Sequence, residues 1–157
     1  MTAAKKHGEA PVTDRAARWD ARYAAAEGGL FGEAPCLWLA MLCGRPDFRP
    51  ASALLPADGD GRNGTWLAGR GVAVTALDLS AEATRRARAR DAAAGVEAER
   101  IVADLAGWAP PRGRSWDAVL IFYLQGPRAL RRRAVETGAA ALAPGGWLAV
   151  EGFGTAQ

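Results

Sequence analysis

The chain is poor in cysteine, carries one histidine and has no long apolar run. Two cysteines, Cys36 and Cys43, in 157 residues are too few for a disulfide scaffold. With no further Cys or His beside them they do not form a zinc site either, and no metal is expected. Both read as small core residues in a reducing, cytoplasmic setting. The single histidine, His7, falls in a polar terminal stretch. No compact Ser-His-Asp or Cys-His arrangement follows from it, and His7 is not expected to act as a base. No apolar run approaches the roughly 20 residues a membrane helix needs. Lys5 and Lys6 are not followed by an apolar segment, so no secretory signal is expected. The net charge of +3 does not single out nucleic acid. Arg85, Arg86, Arg88 and Arg90 read as a solvated helix face paired in part with Glu82 and Asp91, so no nucleic-acid partner is expected.

What is present fits one soluble domain over residues 1–157, with 50% hydrophobic and 24% charged residues. Residues 1–12 read as a disordered terminus and 13–50 as a helical cap. Thr13 or Asp14 can cap a helix running to Gly28, on which Trp19 and Tyr23 share a face. Pro35 suits the first turn of a short helix, CLWLAMLC. From Ala53 onward apolar strands alternate with helices. Strands are expected at 53–56, 72–79, 100–102, 116–123 and 147–153. Helices are expected at 62–69, at 81–94 between Ser80 and Gly95, and at 127–142, where APGG ends the last one. Residues 106–115 read as a loop. This pattern predicts an α/β fold: a Rossmann-like parallel sheet with helices on both faces and right-handed crossovers.

The segment ALLPADGDGRNGTWLAGRGVAVTALDLS, residues 53–80, organises the rest. Gly59 and Gly61 lie where a strand turns into a helix, so the backbone can turn tightly and helix N–H groups can face a ligand. Asp78 ends the next strand, where a carboxylate can accept from both hydroxyls of a ribose. The unit predicts a nucleoside-containing cofactor at the carboxyl ends of the strands. Taken literally, Gly59, Gly61 and Gly64 match the G-x-G-x-x-G of NAD-binding folds, with Asp78 at the fitting distance. That leaves an NAD(P)-dependent oxidoreductase as an alternative.

Later features point elsewhere. Asp104 and Leu105 follow the third strand, Asp117 opens the fourth, Phe122 and Tyr123 close it, and LAPGG precedes the fifth. In this order the motifs resemble those of class I S-adenosylmethionine (SAM) dependent methyltransferases. The small cytosolic tellurite-resistance and thiopurine-type enzymes are similar in a W-D-x-R-Y segment (Trp19, Asp20, Arg22, Tyr23), an LFGEAP loop with Phe31, and GRN (Gly61, Arg62, Asn63). The resemblance implies SAM as cofactor. Gly59 and Gly61 would pass its methionine part, with Asn63 beside them. Asp78 would take the ribose hydroxyls, with Ser80 next along, Leu79 would pack beside the adenine, and Asp104 and Leu105 would bind the adenine edge. Phe122 and Tyr123 would lie under the methyl-transfer region, with Trp19, Tyr23 and Phe31 covering the cofactor. Arg22 or Arg62 would meet the SAM carboxylate.

Relative to that pattern, Leu55 stands at the usual acid position and Ala57 at the first glycine. Asp58 is a nearby acid whose side chain should leave on the other face, and Ala57 is tolerable only at negative φ. Two further strands, six and seven, are expected to be absent, leaving strand five as an edge open to a homodimer through Trp147–Phe153. The function implied is methyl transfer to a small-molecule nucleophile. The lack of an obvious base favours a thiol or other soft nucleophile, with Tyr23, Arg62 and Tyr123 as candidates to orient it. The alternative is a SAM-binding chain, catalytically inactive or incomplete, that works through a partner subunit.

Overall fold

The computed structural model describes residues 12–154. His7, Lys5, Lys6 and the expected loose terminus to residue 11 lie outside them. Five strands alternate with helices along the chain. They are β1 (Ser52–Pro56), β2 (Ala73–Asp78), β3 (Glu99–Val102), β4 (Trp116–Phe122) and β5 (Leu142–Glu151). The helices are α1 (Val12–Ala25), α2 (Leu37–Gly44), α3 (Arg62–Ala68), α4 (Ala81–Ala94) and α5 (Arg128–Ala140). All strand pairs are parallel, in the order β3-β2-β1-β4-β5. This is the expected Rossmann-like α/β sheet. β1 lies at its centre, so the chain reverses direction of travel across the sheet after β3.

Period-two alternation splits the core between the faces. Ala53, Leu55, Ala118, Leu120 and Phe122 pack with Leu39 and Leu42 of α2 and Leu67 of α3. Leu54, Val119 and Ile121 point the other way, toward Ala134 and Leu130 of α5. Leu55, at the family's acid position, is simply core, 1% exposed. α4 packs on β2, β3 and α3, and α1 crosses α4. Among the described residues no helix is long and apolar enough to cross a membrane.

Several local expectations are corrected. Val12 is already within α1 among the described residues, so Thr13 and Asp14 are helical instead of capping it. The cap of α2 is Cys36, whose Sγ accepts from Leu39 N, and Pro35 precedes it. The APGG segment does not end α5. It lies inside β5 as an irregularity that shifts register between Trp116–Leu142 and Ala118–Trp147, with Gly145 at φ +77°. Asp91 does not pair with the arginines of its own helix, because it is buried against Arg100 of β3 at 2.9 Å. Asp117 accepts from the N–H groups of Ala51 and Ser52 at 2.9 Å, clamping β4 to β1 at the amino ends of the strands, away from the site.

Candidate functional site

The carboxyl ends of β1, β2, β3 and β4 open into one cleft of about 300 Å³, roofed by α1. That is the low end of the range for small-molecule sites. Its floor is the turn after β1. The chain leaves β1 through Ala57, whose N–H bonds to Leu77 O at 2.7 Å. Ala57 adopts φ +59°, not the negative value its side chain prefers. The turn is therefore strained at this residue, because the glycine-like geometry is kept without the glycine.

Gly59 (φ +59°) follows, and its N–H donates to Asp78 Oδ2 at 2.9 Å. The Ser80 N–H donates to Asp78 Oδ1 at 2.8 Å. Asp78 has no cationic partner among the described residues. Burial pushes its carboxyl above the ordinary range, opposed by these N–H groups. A carboxylate offers about four acceptor sites, so two remain for a vicinal diol.

α1 supplies a stripe at spacing four: Arg15, Trp19 and Tyr23 all line the cleft. The helix is latched down by Asp20, whose Oδ1 accepts from Ser80 Oγ at 2.6 Å and Glu82 N at 3.0 Å. Arg86 Nη2 donates to Ala26 O at 2.6 Å, just past the helix end. Tyr23 is 4% exposed and sits over Gly59. Burial and the nearby Asp78, Asp60 and Asp58 charges raise its phenol far above the usual value, so it stays protonated.

Twelve of the residues singled out from sequence line the cleft: Trp19, Tyr23, Phe31 and Gly59 on the α1 side, Arg62, Asn63, Asp78 and Leu79 in the middle, and Asp104, Leu105, Phe122 and Tyr123 along the far wall. Three do not. Arg22 stacks on Trp19 at 4.4 Å and Phe31 at 5.9 Å, behind the roof. Ser80 spends its side chain capping α4 at Ala83 N (3.0 Å) and on Asp20. Gly61 (φ +84°) is covered by α4, where a Cβ would come 2.8 Å from that of Ala87. Its role is close helix packing. Asn63 reaches the wall but uses Oδ1 to hold Cys36 N at 2.8 Å. Asp104 is already engaged. Its Oδ2 meets Arg15 Nη2 at 2.8 Å and its Oδ1 meets Ala106 N at 3.0 Å.

Sequence reasoning missed Arg15, although it lies four residues before Trp19 on the same face. It also missed the latch role of Asp20. Asp58 lies at the cleft floor, with its carboxylate turned to Arg100 and the Gly64 N–H.

A family profile for a methyltransferase domain matches residues 56–146, which spans the glycine turn, Asp78, Asp104 and Tyr123. The chain belongs to this family. The nicotinamide alternative draws no support from the match. No curated protein sequence matches the chain. Among solved structures, the domain is similar to one from work on the conversion of a disulfide bond into a thioacetal group during echinomycin biosynthesis. The two are 29% identical over 83% of this chain, with a TM-score of 0.67. DhpI in complex with SAM and HEP is 28% identical over 91% of this chain, with a TM-score of 0.66. This methyltransferase domain spans 56% and 65% of those two chains. The N-methyltransferase NodS from Bradyrhizobium japonicum WM9, bound to S-adenosyl-L-homocysteine, shares the fold at 16% identity, covering 85% of this chain and 70% of its own, with a TM-score of 0.69.

The adenosyl group fits the residues present. Asp78 has free acceptor sites in the cleft, and Arg15 Nε is a buried donor with no partner among the described residues.

Proposed function

We propose that this methyltransferase domain binds SAM in the cleft and transfers its methyl group to a small-molecule nucleophile. The observation that carries the reading is Asp78, half-buried at the end of β2, held by two backbone N–H groups and still able to accept from a ribose. The DhpI neighbour, which holds SAM, supports the same cofactor. Asp78 would take the ribose hydroxyls. Leu79 and Leu105 would flank the adenine, and Trp19, Tyr23 and Phe31 would keep water from the reacting end. Arg62, which lines the cleft, is the better partner for the SAM carboxylate than the stacked Arg22. The cofactor brings an activated methyl, and the chain's task is alignment and exclusion of water.

For the acceptor, a thiol or other soft sulfur nucleophile is the preferred class. The neighbour associated with disulfide-to-thioacetal conversion supports it. The W-D-x-R-Y roof supports placement with the tellurite-resistance and thiopurine-type enzymes. Two free cysteines support a reducing, cytoplasmic setting. β5 ends the sheet among the described residues, which supports pairing with a second copy along that edge. Calorimetric titration with SAM and S-adenosylhomocysteine, with NADH as control, tests the cofactor. Micromolar adenosyl binding that Asp78→Ala abolishes is the expected result. Binding of NADH alone would overturn the reading.

A further inference from the structure

Beside the cofactor-facing wall lies a pair of side chains that the cofactor reading leaves unused. Tyr123 closes β4 at φ +53°, a left-handed backbone that a side chain rarely adopts, and it lines the cleft. Its N–H bonds to Glu151 O at 2.8 Å, and its hydroxyl donates to Glu151 Oε1, also at 2.8 Å. Glu151, at the end of β5, is thus tied to Tyr123 through both backbone and side chain. The second oxygen, Oε2, is buried and has no hydrogen-bond partner among the described residues. The Phe153 ring leans on Tyr123 at 5.0 Å. The other titratable groups facing the pair are Cys36, ahead of α2, and Arg62 of α3. Burial first, and then the neighbouring Glu151 carboxylate, push the Cys36 thiol up to about 11 against the Leu39 N–H, so it carries no charge at neutral pH.

A buried carboxylate oxygen left without a donor is expensive unless something uses it. Here the same carboxylate is joined to the cleft through its other oxygen, Oε1, and one phenol. A phenol that donates its hydrogen bond to a carboxylate keeps its lone pairs free to accept a proton from the cleft side. We propose that Tyr123 and Glu151 form a proton relay for an acceptor that enters un-ionised, as an ordinary thiol or a phenol. The proposal rests on the methyl-transfer reading of the cleft. It supplies the base that no histidine provides.

The acceptor's X–H bond breaks, and its proton passes to Tyr123 Oη as the Tyr123 proton passes to Glu151. The freed pair on X forms the bond to the methyl carbon. The methyl–sulfur bond of the cofactor breaks and the sulfur keeps that pair. Glu151 then returns its proton to water. Tyr123 is the catalytic residue in this scheme, because it touches the acceptor. Glu151 is a positioning residue that acts through it.

The test uses the whole chain and the variants Glu151→Gln and Tyr123→Phe. Calorimetry with SAM comes first. No binding to the wild type overturns the methyl-transfer reading itself, and equal binding by all three proteins isolates the relay. The chain has two tyrosines, so 13C labelling at Cζ gives two signals, assigned with Tyr123→Phe. The Glu151 carboxylate is the largest influence raising the Tyr123 phenol. Glu151→Gln is therefore expected to move the Tyr123 titration to lower pH. Turnover is then read at pH 7 against alkyl thiols, phenols and acidic substituted thiophenols. For the un-ionised acceptors, kcat is expected to fall about 100-fold in both variants with KM little changed. For thiophenols already ionised at pH 7 the loss is expected to vanish. An equal loss for every acceptor points to a merely structural pair and overturns the proposal. So does an unmoved Tyr123 titration, or a SAM-binding wild type that methylates none of these acceptors.

Discussion

Arg100 Nη1 meets Asp58 Oδ2 at 2.6 Å, with both side chains no more than 3% exposed. The same guanidinium donates to Asp91 from Nε at 2.9 Å and to Thr65 Oγ1 from Nη2 at 3.1 Å. One cation from β3 thus gathers the glycine turn, α3 and α4 behind the cofactor cleft. Removing one partner of such a buried network leaves uncompensated charge, which costs about 3–5 kcal/mol. Arg100→Met is expected to lose that much in urea unfolding. The Arg100→Met, Asp58→Asn double variant is expected to recover part of the loss, because one stranded carboxylate is gone. Full additivity would show that the network is not coupled.

Ala57 offers the opposite case, a site where the natural residue is worse than its replacement. A non-glycine residue in the left-handed region is strained by about 1–2 kcal/mol. Ala57 sits there at φ +59°. Ala57→Gly relieves that strain but adds freedom to the unfolded chain, which offsets part of the gain. A net stabilisation of about 1 kcal/mol in chemical unfolding is expected. A destabilised variant would mean that Ala57's packing against Leu54 and Leu77 outweighs the strain.

The legible parts of the site were those that repeat at a fixed local spacing. Asp78 could be placed because a strand–glycine turn–helix–strand unit fixes the acid at the end of its second strand, 19 residues after Gly59. Trp19 and Tyr23 could be placed on one face because they are four apart. Arg100 could not be found this way. Its partners are 42 and 9 residues away, and only the β2–β3 pairing brings them together. Glu151 was hidden for the same reason, since its meeting with Tyr123 depends on the register of β4 and β5 after an irregularity. Ser80 and Gly61 were read as cofactor contacts although local structure uses them up, one as a helix cap and the other under α4. A motif identifies which residues matter near a site, but not which of them face the ligand.

Asp58, with its side chain buried, and the half-buried Asp78 give the fold an unusual pH response. Burial raises Asp58 from 3.8 to about 6, against the pull of Arg100, and raises Asp78 as well. Between pH 4 and 6 the folded chain therefore holds more protons on Asp58 than the unfolded chain does. The contribution is fully present below pH 4 and is lost as pH rises through 6. Exposed carboxylates with lowered values, such as Glu33 beside Arg90, act in the reverse sense. The difference between the wild type and Asp58→Asn isolates the buried group. The wild type is expected to lose stability relative to Asp58→Asn as pH rises from 4 to 6 in thermal melts. Parallel curves would place the folded Asp58 near its unfolded value.

Gly59 and Tyr23 define the closest approach between the roof and the floor of the cleft. A Cβ on Gly59 would run into the Tyr23 hydroxyl, with the ring Cζ next at 3.2 Å, and φ at +59° is unfavourable for any side chain. Gly59→Ala thus combines a clash with backbone strain. The Gly59 N–H also feeds Asp78 Oδ2, so movement of the turn is transmitted to the ribose acceptor. Gly59→Ala is expected to lose about 1–3 kcal/mol of stability and most of its adenosyl affinity. Tyr23→Phe removes the clashing oxygen and leaves the strain. In the Gly59→Ala background it is expected to restore part of the stability but little of the affinity, because the N–H remains misplaced. In the wild-type background the same change is expected to be mild, since the Tyr23 hydroxyl has no hydrogen-bond partner among the described residues. A double-mutant cycle on stability and on SAM binding separates the two effects. If Tyr23→Phe restored neither, the roof would not be resting on the glycine turn.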